Sequence, residues 1–181
     1  MYNIVSCVIH CKRYLQRKLI TTKVAKYRGY YFDRHKMYQI ELEISGQPIG
    51  KGRPRFTKAG HTYTPQKTKE YERRIHAAAW AEMAKHNIDQ TSRPVAVEVI
   101  AFMDIPKSWS KIKRLEAEYG AISHMSTPDV DNIAKIALDG LSGTIFADDK
   151  QVTSMRIKKT FCHPDRGPVL YISVSWTDAD V

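Results

Sequence analysis

Residues 38–45 alternate strictly between apolar and polar side chains, and no other stretch limits the possible folds as much. The apolar positions are Tyr38, Ile40, Leu42 and Ile44, and the polar positions are Gln39, Glu41, Glu43 and Ser45. A period of two is typical of a β-strand with one buried face. We therefore predict that a folded domain begins at about Met37 and occupies residues 37–181.

Residues 1–36 precede this strand and lack a sustained period. They contain nine Lys and Arg residues against one Asp, which gives the segment a charge of +8. We interpret it as a basic N-terminal extension that is either disordered or foreign to the native protein, because Met37 could itself be a start. The alternative is a basic arm that binds nucleic acid.

The order of the remaining patterns predicts the fold class. A helix is predicted over 66–85, because Pro65 stands at its start and apolar residues then recur at helical spacing. The other elements are a strand at 95–105, a short charged helix ending at Gly120, a third helix from Pro128 or Asp129 to about Leu141, and strands at 151–161 and 169–176. This order is typical of an α+β domain, with a mixed, mostly antiparallel sheet packed with helices.

The charge of the chain limits its partners. A formal net charge of +10 arises from 29 Lys and Arg against 19 Asp and Glu, which favours a polyanion: nucleic acid first and an anionic membrane second. Five aspartates and one lysine between residues 129 and 149 give that stretch a charge of −4. Basic residues therefore lie on both sides of an acidic segment in the sequence.

Several functional classes are excluded by what the sequence lacks. No apolar run approaches the ~20 residues that a membrane span needs, so we expect no membrane partner. No Gly-rich phosphate loop precedes a helix, so we expect no nucleotide cofactor. Cys7, Cys11 and Cys162 are odd in number and have no framework spacing, which favours a reducing cytosolic compartment.

The third predicted helix carries the chemically informative residues. Asp129 and Asp131 stand at its entry, where free amide groups and the helix dipole favour carboxylates. Asp131, Lys135 and Asp139 are four residues apart and share one face. The opposite face, predicted to pack on the sheet, carries Ile133, Ile136, Ala137 and Leu141.

Asp148 and Asp149 follow this helix in a loop before the next strand. We expect the carboxylates and Lys135 to converge at one end of the helix. Two or three carboxylates with water would make an open Mg²⁺ site that activates water and neutralises a phosphoryl group. The alternative is structural: Asp129 caps the helix, Asp131 pairs with Lys135, and the Asp148–Asp149 pair forms a turn.

Residues 46–65 are rich in Gly, Pro and bases, which predicts a loop or an irregular hairpin. The lysines and arginines of this loop, with one lysine from the following helix and one from a late strand, are candidate contacts for DNA phosphates. These candidates are Lys51, Arg53, Arg55, Lys58, Lys67 and Lys158. Strand alternation places Arg156 and Lys158 on one face and Lys159 on the other. An ordinary solvated loop is the alternative for the first group.

The segments DVDNIAKIALDGLSG and FADDKQV resemble the signature of the RusA-type crossover-junction endodeoxyribonucleases, an Asp-x-Asp-Asn-x-x-Lys helix and a later Asp-Asp-x-Gln-Val. The segments IPKSWSKIKR and GQPIGKGRPRF resemble the phage and prophage branch of that family. The resemblance runs in order from about Met37 to Trp176. Both aspartate motifs, the lysine and their separation agree together.

This resemblance implies a homodimeric, Mg²⁺-dependent enzyme, with Mn²⁺ as a substitute, that cuts four-way (Holliday) DNA junctions by paired symmetric nicks in recombination and repair. It implies that Asp129, Asp131 and Asp149 hold the metal and that Lys135 is catalytic. Asp148 matches the other aspartate of the pair, as a further metal ligand. The family also implies the cytoplasm of a bacterium or of a phage-infected bacterial cell.

Two alternatives stay open beside this function. One is a nuclease that acts mainly on forks or flaps, and the other is a DNA-binding dimer that has lost catalysis. The chain also departs from the family at Gly140, which follows Asp139 where the family often has Ala. Glycine costs ~1 kcal/mol inside a helix, so the third helix is predicted to end or bend before this residue.

Overall fold

The computed structural model describes residues 37–53, 55–56 and 61–178. The predicted extension at 1–36 and the predicted DNA contact Lys58 lie outside the described residues. The side chain of Arg55, a further predicted DNA contact, also lies outside them. In the part that is described, no helix is both long and apolar enough to span a membrane.

The described strands form a four-stranded sheet and a separate short hairpin. The strands are β1 (Met37–Ser45), β2 (Arg55–Phe56), β3 (Thr62–Tyr63), β4 (Val95–Met103), β5 (Val152–Phe161) and β6 (Val169–Thr177). The sheet order is β1-β6-β4-β5, and β2 pairs with β3. Strand β6 is antiparallel to both β1 and β4, whereas β4 and β5 are parallel. The predicted α+β class with a mixed, mostly antiparallel sheet is confirmed.

Three α-helices of the described residues accompany the sheet: α1 (Gln66–His86), α2 (Lys111–Glu118) and α3 (Val130–Leu141). Helix α1 starts after Pro65 and ends where Asn87 adopts a left-handed conformation, a common way to terminate a helix. Helix α2 starts where the Ser110 hydroxyl accepts a hydrogen bond from the Lys113 amide at 3.3 Å. The predicted positions of all three helices are confirmed.

One face of the sheet and the helices enclose the main core. Three apolar positions of β1, Ile40, Leu42 and Ile44, are buried, with Ile40 1% and Leu42 3% exposed, and Tyr38 is half-buried. The pairing register sets them beside Val174 and Ile172 of β6. Helices α1 and α3 contribute Ile75, Ala79, Ile133 and Ile136 to the same core. The alternation read from residues 38–45 therefore defines the face that the helices cover.

Gly140 is a helical residue, so the expectation that α3 ends or bends before it is wrong. The reason is the packing of α3 on α1. A Cβ atom at position 140 would lie 2.6 Å from Cβ and 2.7 Å from Cγ2 of Ile75. Only glycine lets the two helices approach this closely, and the packing outweighs its low helix propensity.

We predict that Gly140→Ala lowers the free energy of unfolding by about 1–3 kcal/mol, because the added methyl group overpacks the contact with Ile75. Urea denaturation measures this change. Ala77→Gly, at an exposed position of α1, is the control and should cost about 0.5–1 kcal/mol from propensity alone. A Gly140→Ala variant as stable as the wild type would contradict the close approach of α1 and α3.

Candidate active site

The connection between β4 and β5 carries the predicted catalytic residues. Because the two strands are parallel neighbours, the chain must return from the end of β4 to the start of β5. It does so through α2, a loop at 121–129, helix α3 and a loop at 142–148. The two aspartate motifs lie at the two ends of α3.

Asp129 and Asp131 occupy the amino-terminal end of α3. Asp129 is the N-cap residue, yet its side chain makes no capping hydrogen bond, and Asp131 lies in the first turn. Both residues are exposed, and within the described residues neither forms an ion pair. The structural alternatives of a capping Asp129 and an Asp131–Lys135 pair are therefore not observed in this part of the chain. The helix dipole favours negative charge at this end.

Lys135 lies one turn further along α3, on the exposed face that it shares with Asp131. The buried residues of the helix are Ile133, Ile136, Ala137, Gly140 and Leu141, so the predicted division of its faces is confirmed. No other described residue forms an ion pair with the Lys135 ammonium. It is positioned to meet an anion that approaches the two aspartates.

Asp148 and Asp149 have different environments. Asp148 caps a short 3-10 helix at Asp149–Gln151, and its Oδ1 accepts a hydrogen bond from the Lys150 amide at 3.0 Å. This hydrogen bond, and the nearby Lys150 ammonium, lower the pKa of Asp148. Asp149 is exposed. Asp148 thus has a structural task, and Asp149 is the more available of the two.

Gln151 holds the loop that carries Asp149, a role that the sequence reasoning missed. Its Oε1 accepts from the amides of Ala147 at 2.9 Å and Asp148 at 3.2 Å. Its Nε2 donates to the carbonyls of Thr91 at 3.0 Å and Arg93 at 3.1 Å. An acidic cap followed three residues later by Gln is a capping-box pattern and could have indicated this role.

The two acidic motifs do not converge within one chain, so that expectation is wrong. Ala147, two residues before Asp149, accepts a hydrogen bond from Ser142 Oγ at 3.3 Å, and Ser142 is the C-cap of α3. Asp129 is at the opposite end of this 12-residue helix, which is about 18 Å long at 1.5 Å per residue. Across the described residues, no three His, Cys, Asp or Glu side chains gather into a metal site.

Lys159 fixes the loop that leads into Asp129. Its ammonium donates to the carbonyl of Ser126 at 2.6 Å and to that of Pro128 at 2.8 Å. Lys159 aligns with Ala101 on the core side of the sheet. The strand alternation predicted for this lysine is confirmed, but its anchoring role could not be read from the sequence.

His124 anchors the same loop from its other side. Its ring lies 4.9 Å from that of Phe161, between centroids, and its Nδ1 is buried with no hydrogen-bond partner among the described residues. Burial, and secondarily the Lys159 ammonium, lower the pKa of His124. The neutral ring is therefore part of the folded loop.

Lys51, a predicted DNA contact, is bound to two acidic residues of the chain. Its ammonium forms ion pairs with Glu72 of α1 and Asp139 of α3, and its amide donates to the Asn132 carbonyl at 2.8 Å. Burial lowers its pKa, but the bonds to Asp139 and Glu72 outweigh this and raise it overall. Lys51 ties the 46–53 loop to both helices.

The remaining DNA candidates are spread over the surface. Arg53 and Lys67 are exposed near the start of α1. Lys158 is exposed and pairs in register with Ile100, on the sheet face opposite to that covered by α3. The structure thus separates Lys158 from the Asp129–Asp131 end, and its role in binding DNA stays a prediction.

Two comparisons with known proteins bear on this arrangement. The family model described as endodeoxyribonuclease RusA matches residues 45–174. The chain is also 31% identical over 143 residues to a Bacillus subtilis (strain 168) protein named uncharacterized protein YqaN. That alignment covers 75% of this chain and 97% of the Bacillus protein. The family match includes α3, both aspartate motifs and Gln151.

We predict that acid destabilises the wild type more than a His124→Gln variant. Because burial lowers the pKa of His124 below its ordinary value of 6.5, the unfolded chain binds a proton that the folded chain resists. The stability from this group is present above about pH 6.5 and is lost as the pH falls below that value. Urea denaturation at pH 7.5 and 5.5 measures it. Equal losses in both proteins would contradict the buried neutral ring.

Proposed function

This chain belongs to the RusA family of endodeoxyribonucleases, and from that premise we propose that it is a Mg²⁺-dependent homodimer that resolves four-way DNA junctions by paired symmetric nicks. One observation supports the catalytic part of this proposal: Asp129 and Asp131 share the positive end of α3, and among the described residues their carboxylates have no hydrogen-bond or ion-pair partner. Cation binding explains two exposed carboxylates without partners better than a structural role does.

The donor set fits a hard divalent cation. Asp129 and Asp131 offer carboxylate oxygens two residues apart, and Mg²⁺ is typically held by one or two carboxylates together with water and substrate phosphate. Mn²⁺ accepts the same ligands. When bound, such a cation lowers the pKa of a coordinated water and neutralises charge on the phosphoryl group.

The side chains of the chain position the DNA phosphate. The Lys135 ammonium, one turn beyond Asp131 and without a described ion-pair partner, would donate to a phosphate oxygen and stabilise developing negative charge. Lys159 and His124 hold the preceding loop, which keeps Asp129 in place. Arg53, Arg55, Lys58, Lys67 and Lys158 are the proposed contacts with the DNA backbone. Lys51, also predicted to contact DNA, ties the 46–53 loop that carries Arg53 to both helices.

A second chain would complete each metal site. Asp149 belongs to the predicted ligand set, yet α3, a 12-residue helix about 18 Å long, lies between it and Asp129. Two copies related by a twofold axis can place Asp149 of the partner subunit beside the Asp129–Asp131 pair, and the same axis repeats the site. The proposed homodimer then has two sites, each built from two chains, as paired nicks on two strands require. The proposed setting is recombination and repair in the bacterial cytoplasm.

We predict that Asp131→Asn abolishes Mg²⁺-dependent nicking of a synthetic four-way junction while junction binding is retained. The expected loss is a hundredfold or more, since even residues that only support metal ligands cost about 10–100-fold when mutated. Gel analysis of end-labelled junctions measures nicking, and a mobility shift measures binding. Asp89→Asn, at an exposed aspartate outside α3, is the matched control and should cut like the wild type.

Cutting at equal rates by the wild type and Asp131→Asn would refute the catalytic assignment. Absence of cutting in both proteins, with tight binding retained, would favour the DNA-binding dimer without catalysis. Competition among junction, fork, flap and duplex then decides the substrate. A preference for forks or flaps would replace the junction with that structure.

We predict that a mixed dimer of Asp131→Asn and Asp149→Asn chains recovers nicking that neither homodimer shows. If each site combines Asp131 of one chain with Asp149 of the other, the mixed dimer has one intact site and one site with both changes. It should therefore nick one strand and leave the paired cut incomplete. Chains with different affinity tags allow the mixed dimer to be isolated.

A mixed dimer as inactive as its parents would show that each site is contained in one chain. The control is a doubly tagged dimer in which both chains carry Asp131→Asn, and it should stay inactive.

A further inference from the structure

Exposed apolar side chains are concentrated just ahead of the acid pair. Met125 is 91% exposed, more than any other large apolar residue among those described, and Val130 is 44% exposed. Helix α2 adds a stripe at helical spacing formed by Ile112, Leu115 and Tyr119, which are 72%, 42% and 52% exposed. Concentrated exposed apolar surface marks an interaction site more often than isolated residues do.

Met125 is exposed on a loop that is fixed on both sides of it. The preceding His124 ring packs on Phe161, and its Nδ1 is buried. The following carbonyls of Ser126 and Pro128 both accept hydrogen bonds from the Lys159 ammonium. The backbone is thus anchored immediately before and after Met125, while its side chain contacts little of the described fold. A free apolar side chain on a fixed backbone is suited to insertion into a binding partner.

The position of Met125 limits what that partner can be. It precedes Asp129 by four residues, so the two Cα atoms are at most ~14 Å apart. A large partner that binds at Asp129 and Asp131 therefore also reaches Met125. The rings of Trp109 and His124 both contact Phe161, so the segment at 107–114 lies near the loop of Met125. This segment is basic and contains no acid, with exposed Lys107, Lys111 and Arg114. Charge complementarity therefore favours DNA over another apolar protein surface.

DNA offers apolar surface mainly where its bases are unstacked. In a continuous duplex the faces of each base are covered by the neighbouring bases. At a branch point, two adjacent bases can be unstacked at a lower free-energy cost. In proteins that bend DNA, apolar side chains such as Met insert between adjacent bases as wedges. The unstacking that this requires costs about a few kcal/mol. A branch lowers this cost, so a wedge would discriminate a junction from a duplex.

We propose that Met125 is a wedge that inserts at the unstacked base step of a DNA branch point and makes binding selective for branched DNA. This inference rests on the proposed function, because it takes the DNA phosphate to lie at Asp129 and Asp131. The anchored loop aims the wedge, and the basic start of α2 holds the neighbouring backbone.

The experiment compares Met125→Ala with Met125→Leu and with Ile112→Ala in the full chain. Fluorescence of 2-aminopurine at the branch point, measured with Ca²⁺ in place of Mg²⁺, reports unstacking, and competition binding gives the ratio of junction to duplex affinity. Met125→Ala should abolish the fluorescence rise and lower the ratio about tenfold, or 1.4 kcal/mol. Met125→Leu, which keeps the apolar volume, and Ile112→Ala should both resemble the wild type. Thermal unfolding should be unchanged, because Met125 is 91% exposed.

Three results would overturn the wedge alone. Equal weakening of junction and duplex binding by Met125→Ala would make Met125 a general contact, and unchanged affinity for both would give it no role in binding. A shift from dimer to monomer in light scattering would assign the surface to a second copy of the chain. Failure of the wild type to prefer junctions would instead refute the proposed function and the wedge together.

Discussion

The parallel pairing of β4 and β5 is the constraint on which the rest of the structure depends. Two antiparallel strands can be joined by a two-residue turn, whereas two parallel neighbours need a crossover. Here the crossover spans residues 104–151 and contains α2, α3 and both aspartate motifs. Because α3 returns the chain from one end of the strands to the other, residues before and after it must lie apart.

Local periodicity predicted much of the fold. The alternation at 38–45 identified β1 and its buried face, and the spacing of Ile133, Ile136 and Leu141 identified the packed face of α3. These are relations between residues a few positions apart. The pairing of the strands and their relative directions cannot be predicted from the periodicity of any one segment. The expectation that the acidic motifs meet in one chain failed because it needed the direction of β5 relative to α3.

The site shows the same division between local and distant causes. Gln151 stands three residues after Asp148, so its capping role can be read from the sequence. Lys51 binds Asp139, which is far away along the chain, and a lysine in a loop looks like a DNA contact until that partner is known. Gly140 similarly weakens a helix by propensity, but Ile75 on another helix decides its conformation. Tertiary contacts assigned roles that composition could not.

The place of β6 in the sheet affects when the core can form during synthesis. It is the last of the described strands, at Val169–Thr177, yet it lies between β1 and β4. Until this strand leaves the ribosome, β1 has no neighbour in the sheet, and the core face that supports α1 and α3 is incomplete. Pairing between such distant segments also forms slowly. A nascent chain therefore presents its lysines and arginines before the sheet that supports α3 and its aspartates is complete.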